Sequence, residues 1–214
     1  MNYAVNVLTE PTQEPVSLSE AKLHLRVPTD HEDVNISGIY LPAARRRVEA
    51  ELGRQLMTAT LTLTLDAFPP GTCPMPIPMA PLQSITSIIY RDIAGTETTM
   101  PAEDYVVDSR SEPGRVMPSD GVTWPSVKDR VVGSTVLVTF VAGYGPNESD
   151  VPAPIRQAIL LLLGHYYYHR EEVVMGVNTS VLPRAVSDLL ASQSIGDEFE
   201  NYSGRDAYRY GGSY

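Results

Sequence analysis

The spacing of apolar positions divides the chain into two kinds of segment. From about Asp33 to Leu52, Leu41, Ala44, Val48 and Leu52 fall on one face at a period of 3.6 residues, which predicts an amphipathic helix with Gly53 as its C-cap. Pro42 interrupts that pattern: it lacks a backbone donor and should kink the helix or restart it, giving two pieces that meet near Tyr40. The period then changes. Met57 to Leu65 reads M-T-A-T-L-T-L-T-L, a strict alternation that predicts a strand with one buried and one solvated face.

Further strands are expected at Ser84–Arg91, Glu97–Met100, Tyr105–Val107 and Ser134–Val141, separated by Pro, Gly and Asp turn signals. Helical spacing also marks a short early element. Ser17-Leu18-Ser19-Glu20 reads as a capping box, with the helix running through Leu25 and stopping before Pro28. After Pro152-Ala153-Pro154, the run Ile155 to Arg170 has Ile155, Ile159, Leu162, Leu163 and Tyr166 on one face and Leu160 and Leu161 on the others. A helix apolar all round has to be enclosed, and this one is too short for the roughly 20 apolar residues of a membrane span. A last short helix is expected from Pro183 to Ala191.

These signals come in separate blocks, which predicts an α+β fold: a helical core interrupted by an inserted small antiparallel β region. The expected boundaries are 1–56 and 146–195 for the helical core, 57–145 for the β insertion and 196–214 for a C-terminal arm. That last stretch has no core-forming period, but it carries Gly204, Gly211 and Gly212 with Tyr202, Tyr208, Tyr210 and Tyr214. Spaced tyrosines on a flexible arm suit docking onto a partner.

Composition narrows the function classes. The net charge is −10 and the only lysines are Lys22 and Lys128, a poor set for gripping nucleic acid through its phosphates. A passage through which DNA slides without sticking is compatible with that balance. The single cysteine, Cys73, excludes an intramolecular disulfide and a multi-cysteine metal site, and in its Pro-rich setting it reads as a bland surface thiol. Met1 to Thr9 lacks the basic start and apolar run of a signal peptide, so synthesis in a reducing cytoplasm is expected.

Chemistry is scarce. His165 and His169 stand four apart on a helix, close enough to share a metal, but neither a His-Glu-x-x-His pattern nor a third ligand accompanies them. Neither a nucleophile elbow nor a phosphate-binding glycine loop occurs. The one basic cluster is Arg45-Arg46-Arg47, whose side chains point in three directions, with Arg45 beside the apolar stripe. Two readings stay open for it: i,i+4 pairs of Arg45 with Glu49 and Arg47 with Glu51, or contact with a neighbouring subunit or partner. Arg45, Arg46, Arg47 and the four arm tyrosines are thus the candidate interface residues.

A set of ordered segments resembles the phage head–tail connector, or adaptor, proteins of the branch often called Burkholderia-phage type. They are Pro15 to Arg26, Ala43 to Glu49, Gly53 to Leu56, Pro81 to Ile85 with Ile88, Trp124-Pro125, Phe140 to Gly145 and Val151 to Ile159. The resemblance spans about Pro15 to Arg170; Pro42 and the Pro-rich Pro69–Pro81 depart from it. It implies a virion protein at the head–tail junction, assembled in the host cytoplasm. Such a protein forms a usually dodecameric ring below the portal, extends the DNA channel without binding DNA specifically, and docks a neck, stopper or tail protein on its far side. It implies no catalytic residue, cofactor, metal or membrane. Two other classes compete with it: a metal-dependent hydrolase built on His165 and His169, and a glycan- or receptor-binding β module.

Overall fold

In a computed structural model, residues 3–127, 135–169, 184–191 and 193 are described. They form a helical unit, Pro11–Met57 with Tyr144–Ser194, and a β unit made of Thr58–Gly143 and the N-terminal strand. The expected α+β class is what the structure shows.

The helical unit begins with α1 (Leu18–Leu25), whose N-terminus is capped by Ser17 Oγ accepting from the Glu20 amide at 3.3 Å. The expected reciprocal bond gives way to an ion pair, because the Glu20 carboxylate accepts from Arg156 Nη2 at 2.6 Å. Arg26 closes the helix in the left-handed conformation, and Pro28 follows.

The break forced by Pro42 takes a definite form. A short α2 (Asp33–Asn35) leads into a π-helical turn, Ile36–Tyr40, and then into α3 (Leu41–Leu52). The Leu41 amide reaches back five residues to the Ile36 carbonyl. The wider turn lets the chain stay helical past a proline that cannot donate and whose ring crowds the preceding turn. Gly53, at φ 64°, ends α3 as its spacing predicts.

Helix α4 (Ala153–Tyr168) is the centre of this unit. Ile155, Ala158, Ile159, Leu160, Leu162 and Leu163 are buried among Ala21, Leu25, Ile36, Leu41, Ala44, Val48 and Leu52, with Val186 and Leu190 of α5 (Arg184–Ala191) closing the core. The all-round apolar helix is therefore enclosed by its own unit. Each fully buried aliphatic side chain contributes roughly 1.5–3 kcal/mol.

The β unit holds a five-stranded antiparallel sheet and a three-stranded one. Its strands are β1 (Tyr3–Thr9), β2 (Ala59–Leu65), β3 (Met75–Ile77), β4 (Leu82–Arg91), β5 (Glu97–Thr99), β6 (Tyr105–Asp108), β7 (Gly114–Pro118) and β8 (Val136–Ala142). The orders are β1-β2-β8-β4-β5 and β3-β7-β6. Alternation works as expected in β2 and β8, where every second residue is buried. Leu61, Leu63, Val136, Val138 and Phe140 line one face and share a core with Met75, Ile77 and Val116 of the smaller sheet. The sheets meet closely at Gly114, where an added Cβ would lie 2.6 Å from Leu82 Cβ.

Three strands carry no clear signal in the sequence. β1 precedes the first helix and is exposed along nearly its whole length; β3 contains Pro76, and β7 ends on Pro118. Met100, expected within a strand, lies just beyond one, since β5 ends at Thr99, and Ser134, the expected start of the last strand, lies outside the described residues. So does most of the chain beyond Arg170, including the 196–214 arm with Tyr202, Tyr208, Tyr210 and Tyr214.

Candidate assembly surfaces

The arginine cluster separates into an inside and an outside. Arg45 is only 4% exposed: its Nε donates to Glu14 Oε2 and its Nη1 to Glu49 Oε2, both at 2.9 Å. Glu49 also accepts from Gln55 Nε2 at 3.0 Å and from the Leu56 amide at 3.1 Å. Burial pushes the Glu49 carboxyl above its ordinary value, while Arg45 and the Leu56 amide pull the other way. This node ties the segment before α1 and the segment after α3 to α3 itself, and Glu14 and Glu49 both belong to the same unit as Arg45. Arg46 and Arg47 are exposed on α3, with Arg47 Nη2 3.6 Å from Glu51. Both expected i,i+4 pairs form, one buried and one at the surface.

Two further arginines, not singled out in the sequence, brace the same unit. Arg156 donates to the Pro15 carbonyl as well as to Glu20. Arg54 donates to the Gln193 carbonyl at 2.8 Å, and its guanidinium carbon lies 5.9 Å from the Tyr144 ring centre. The sequence marks of these residues were their places in the segments Gly53–Leu56 and Val151–Ile159; the periodicity of the helices says nothing of their partners.

The helical unit keeps large apolar side chains on its surface in α1, α2, the π turn and the end of α4. Leu23 is 81% exposed and Val34 80%, with Ile39 and Tyr168 also exposed. The Lys22 ammonium holds Asp30 and Asp33 beside α1, and the Tyr168 hydroxyl donates to the Leu25 carbonyl. Tyr167 sits edge-on to both Tyr40 and Tyr168. Exposed large apolar side chains are suited to contact with protein.

In the β unit the outer face of the large sheet carries no charge along β1, β2, β8 and the first nine residues of β4; Arg91 and Glu97 stand at its far edge. Register places Ala4 and Asn6 beside Thr64 and Thr62, these beside Leu137 and Thr139, and Ser87 beside Thr139. No Lys, Arg, Asp or Glu occurs in β1, β2 or β8, or in β4 before Arg91.

The competing chemistries find limited support in the geometry. His165 and His169 stack with ring centres 4.7 Å apart, and His169 Nδ1 lies 3.1 Å from the His165 carbonyl. Among the described residues, no group of three or more His, Cys, Asp or Glu forms a metal site. In the β unit an open hollow lies against Phe68 and Trp124. Those rings stack on each other at 4.9 Å, each under a tenth exposed, and the Trp124 indole donates to the Cys73 carbonyl. Neither ring offers a bare face of the kind on which a sugar would lie. No helix among the described residues is long and apolar enough to cross a membrane.

No protein-family model and no curated protein matches the chain. Solved structures do. A chain from the neck of an empty gene transfer agent (GTA) particle, computed with C6 symmetry, has a TM-score of 0.72 at 26% identity, covering 89% of this chain and 95% of that one. A chain from the virion of a native GTA particle has a TM-score of 0.70 at 25% identity, covering 89% and 94%. A chain from the neck of the native particle, computed with C12 symmetry, shares the fold with a TM-score of 0.66 at 24% identity, covering 89% and 94%. The fold of this chain is thus similar, over nearly its whole length, to that of chains in the neck of a phage-like particle.

Proposed function

We propose that the protein is a structural subunit of a virion neck: a head–tail connector that forms a ring below the portal and presents its far side to a stopper or tail protein. The observation that carries this reading is the match to a GTA neck chain over 89% of this chain. The ordered segments from Pro15 to Arg170 support the same assignment, down to the Burkholderia-phage-type branch of connectors.

A closed ring of identical subunits repeats one heterologous contact, so each subunit needs two different adhesive surfaces. The surface bearing exposed Leu23, Val34, Ile39 and Tyr168 is one candidate, and exposed Arg46 and Arg47 suit a partner outside the body of the unit. A dodecamer is the copy number implied by the connector resemblance. The wall facing the DNA is acidic or neutral, in keeping with a net charge of −10, so that passing phosphates find few cations to bind. The work is geometric, with no reaction, cofactor or metal, and its place is the head–tail junction after assembly in the host cytoplasm.

Deleting the gene tests this reading. DNA-filled heads without tails are expected to accumulate, and supplying the protein in trans should restore tailed particles. Intact tailed particles in the deletion strain would contradict it. A protein lacking 196–214 is expected to stay folded but fail to join portal-bearing heads, with its tyrosines serving as portal contacts. Normal attachment of that protein would remove the arm from the account.

A further inference from the structure

We infer that Arg54 is the positioning residue of the C-terminal arm: its guanidinium fixes the end of α5, and with it the point from which 196–214 leaves the helical unit. The inference rests on the neck reading and on the arm as a portal contact, and it starts from a contrast among the arginines of this unit. Arg45 and Arg156 both tie back to the segment before α1 and its first turn, through Glu14, Pro15 and Glu20. Arg54 instead holds the Gln193 carbonyl, next to the last residue of the helical unit, Ser194.

The anchor is itself firmly placed. Gly53 turns the chain at the end of α3, and the Arg54 amide donates to the Glu49 carbonyl at 3.2 Å. The side chain therefore starts from a closed helix terminus. Arg54 is 7% exposed and lies over the Tyr144 ring, whose residue is held in turn by its own amide donating to the Leu56 carbonyl at 3.0 Å. A planar guanidinium braced in this way loses little freedom on making a hydrogen bond.

What it holds needs the help. α5 has eight residues and buries Val186 and Leu190, and a helix of that length is marginal by propensity alone. Its last turn is completed by the Gln193 amide donating to the Leu190 carbonyl at 2.9 Å. Arg54 Nε then donates to the Gln193 carbonyl at 2.8 Å. A cation at a helix C-terminus satisfies a carbonyl that has no partner within the helix and opposes the dipole favourably. The arm begins just beyond this carbonyl. A segment the length of 196–214 spans at most about 65 Å fully extended, so the place of its root sets what it reaches. Loosening α5 adds at least its own eight residues to the tether. Each doubling of a tether lowers the effective concentration of its end about threefold. Arg54 thus raises the concentration of the arm at the portal without touching the portal.

Two measurements on full-length Arg54→Ala test this. Hydrogen exchange in the purified protein is expected to speed up about tenfold at the Gln193 amide and the last turn of α5, while the amides of α4 stay protected. Attachment to DNA-filled heads collected from cells lacking the gene is expected to fall about threefold. Arg54→Lys, which keeps the charge but not the planar fork, should fall in between on both. Unchanged exchange at Gln193, or unchanged attachment once Gln193 exchanges freely, would overturn the inference. So would loss of protection throughout α4, which would make Arg54 a strut of the whole core. If the protein lacking 196–214 attaches as well as the full chain, the inference fails while the neck reading stands. If the unaltered protein never joins such heads, the neck reading fails and this inference with it.

Discussion

The two units are held together in different ways. The helical unit combines an apolar centre with polar ties, one buried, Arg45 to Glu49, and the others half-buried, Arg45 to Glu14, Arg156 to Glu20 and Pro15, and Arg54 to Gln193. The β unit relies on alternation and aromatic packing, and the larger charged groups described there, Arg91–Glu97 and Arg115–Asp108, lie at its periphery. Apolar packing is tolerant of shape and has no direction, whereas a buried ion pair fixes which segments meet and is costly to leave half-made. The helical unit should therefore be the more sensitive of the two to single charge deletions, and the β unit to changes of volume.

The largest expected effect breaks that contrast open. Glu49→Ala leaves the Arg45 guanidinium buried with one of its carboxylates gone and removes the acceptor for Gln55 and the Leu56 amide, a loss of about 3–5 kcal/mol. Arg45→Ala should act on the same unit in the same direction. The single tryptophan, Trp124, lies in the β unit, so its fluorescence reports that unit while far-UV circular dichroism at helical wavelengths reports the other. Glu49→Ala is expected to lower the helical transition and leave the tryptophan transition nearly in place. A common shift in both signals would show the units to be thermodynamically inseparable.

Two glycines sharpen the comparison at smaller cost. Gly114→Ala would press a methyl group into Leu82 between the two sheets and should cost about 1–3 kcal/mol, read by Trp124. Gly145→Ala would drive its Cβ into the Asp150 carboxylate, which accepts from the Asn147 amide in the turn before α4. Losing that cap should cost about 1 kcal/mol, read by the helical signal.

Leu23→Asp should change stability by less than about 0.5 kcal/mol, since the side chain is almost fully exposed. It should nonetheless weaken subunit association in sedimentation, and an unchanged sedimentation profile would take the patch out of the assembly surface.

The smallest effect is confined to acid. Asp108 accepts from Ser111, Arg115 and the Arg110 amide, which hold its carboxyl down at about 2. A carboxyl lowered on folding contributes stability above its ordinary value of 3.8, and that contribution is lost as the pH falls towards about 2. Asp108→Asn should flatten the decline of β-unit stability across that window, as followed by Trp124 fluorescence.

Legibility in the sequence followed the same divide. The helix around Leu41–Leu52, the closure at Gly53, the enclosed helix after Pro154 and the strands β2, β4, β5, β6 and β8 all show in local periodicity, because burial of one face imposes the period directly. β1 does not show, since an edge strand exposed on both faces is under no such constraint. β3 and β7 are short and carry prolines, which read locally as breaks. Pro42 gave away the site of the helical irregularity but not its form, because a kink and a π turn answer the missing donor equally well. Among the arginines, spacing indicated Arg45 with Glu49, four residues apart. Its second partner, Glu14, is 31 residues away and was not legible from local pattern. The arm tyrosines Tyr202, Tyr208, Tyr210 and Tyr214 lie outside the described residues, and their proposed role rests on composition alone.

The central claim is that this chain is a ring-forming part of a virion neck. Electron microscopy of particles carrying a small electron-dense tag on this chain, at the exposed turn around Gly95, addresses it most directly. The account predicts tag density repeated with cyclic symmetry between the portal and the tail. Tag density on the capsid shell or the tail fibres, or a single copy per particle, would contradict it.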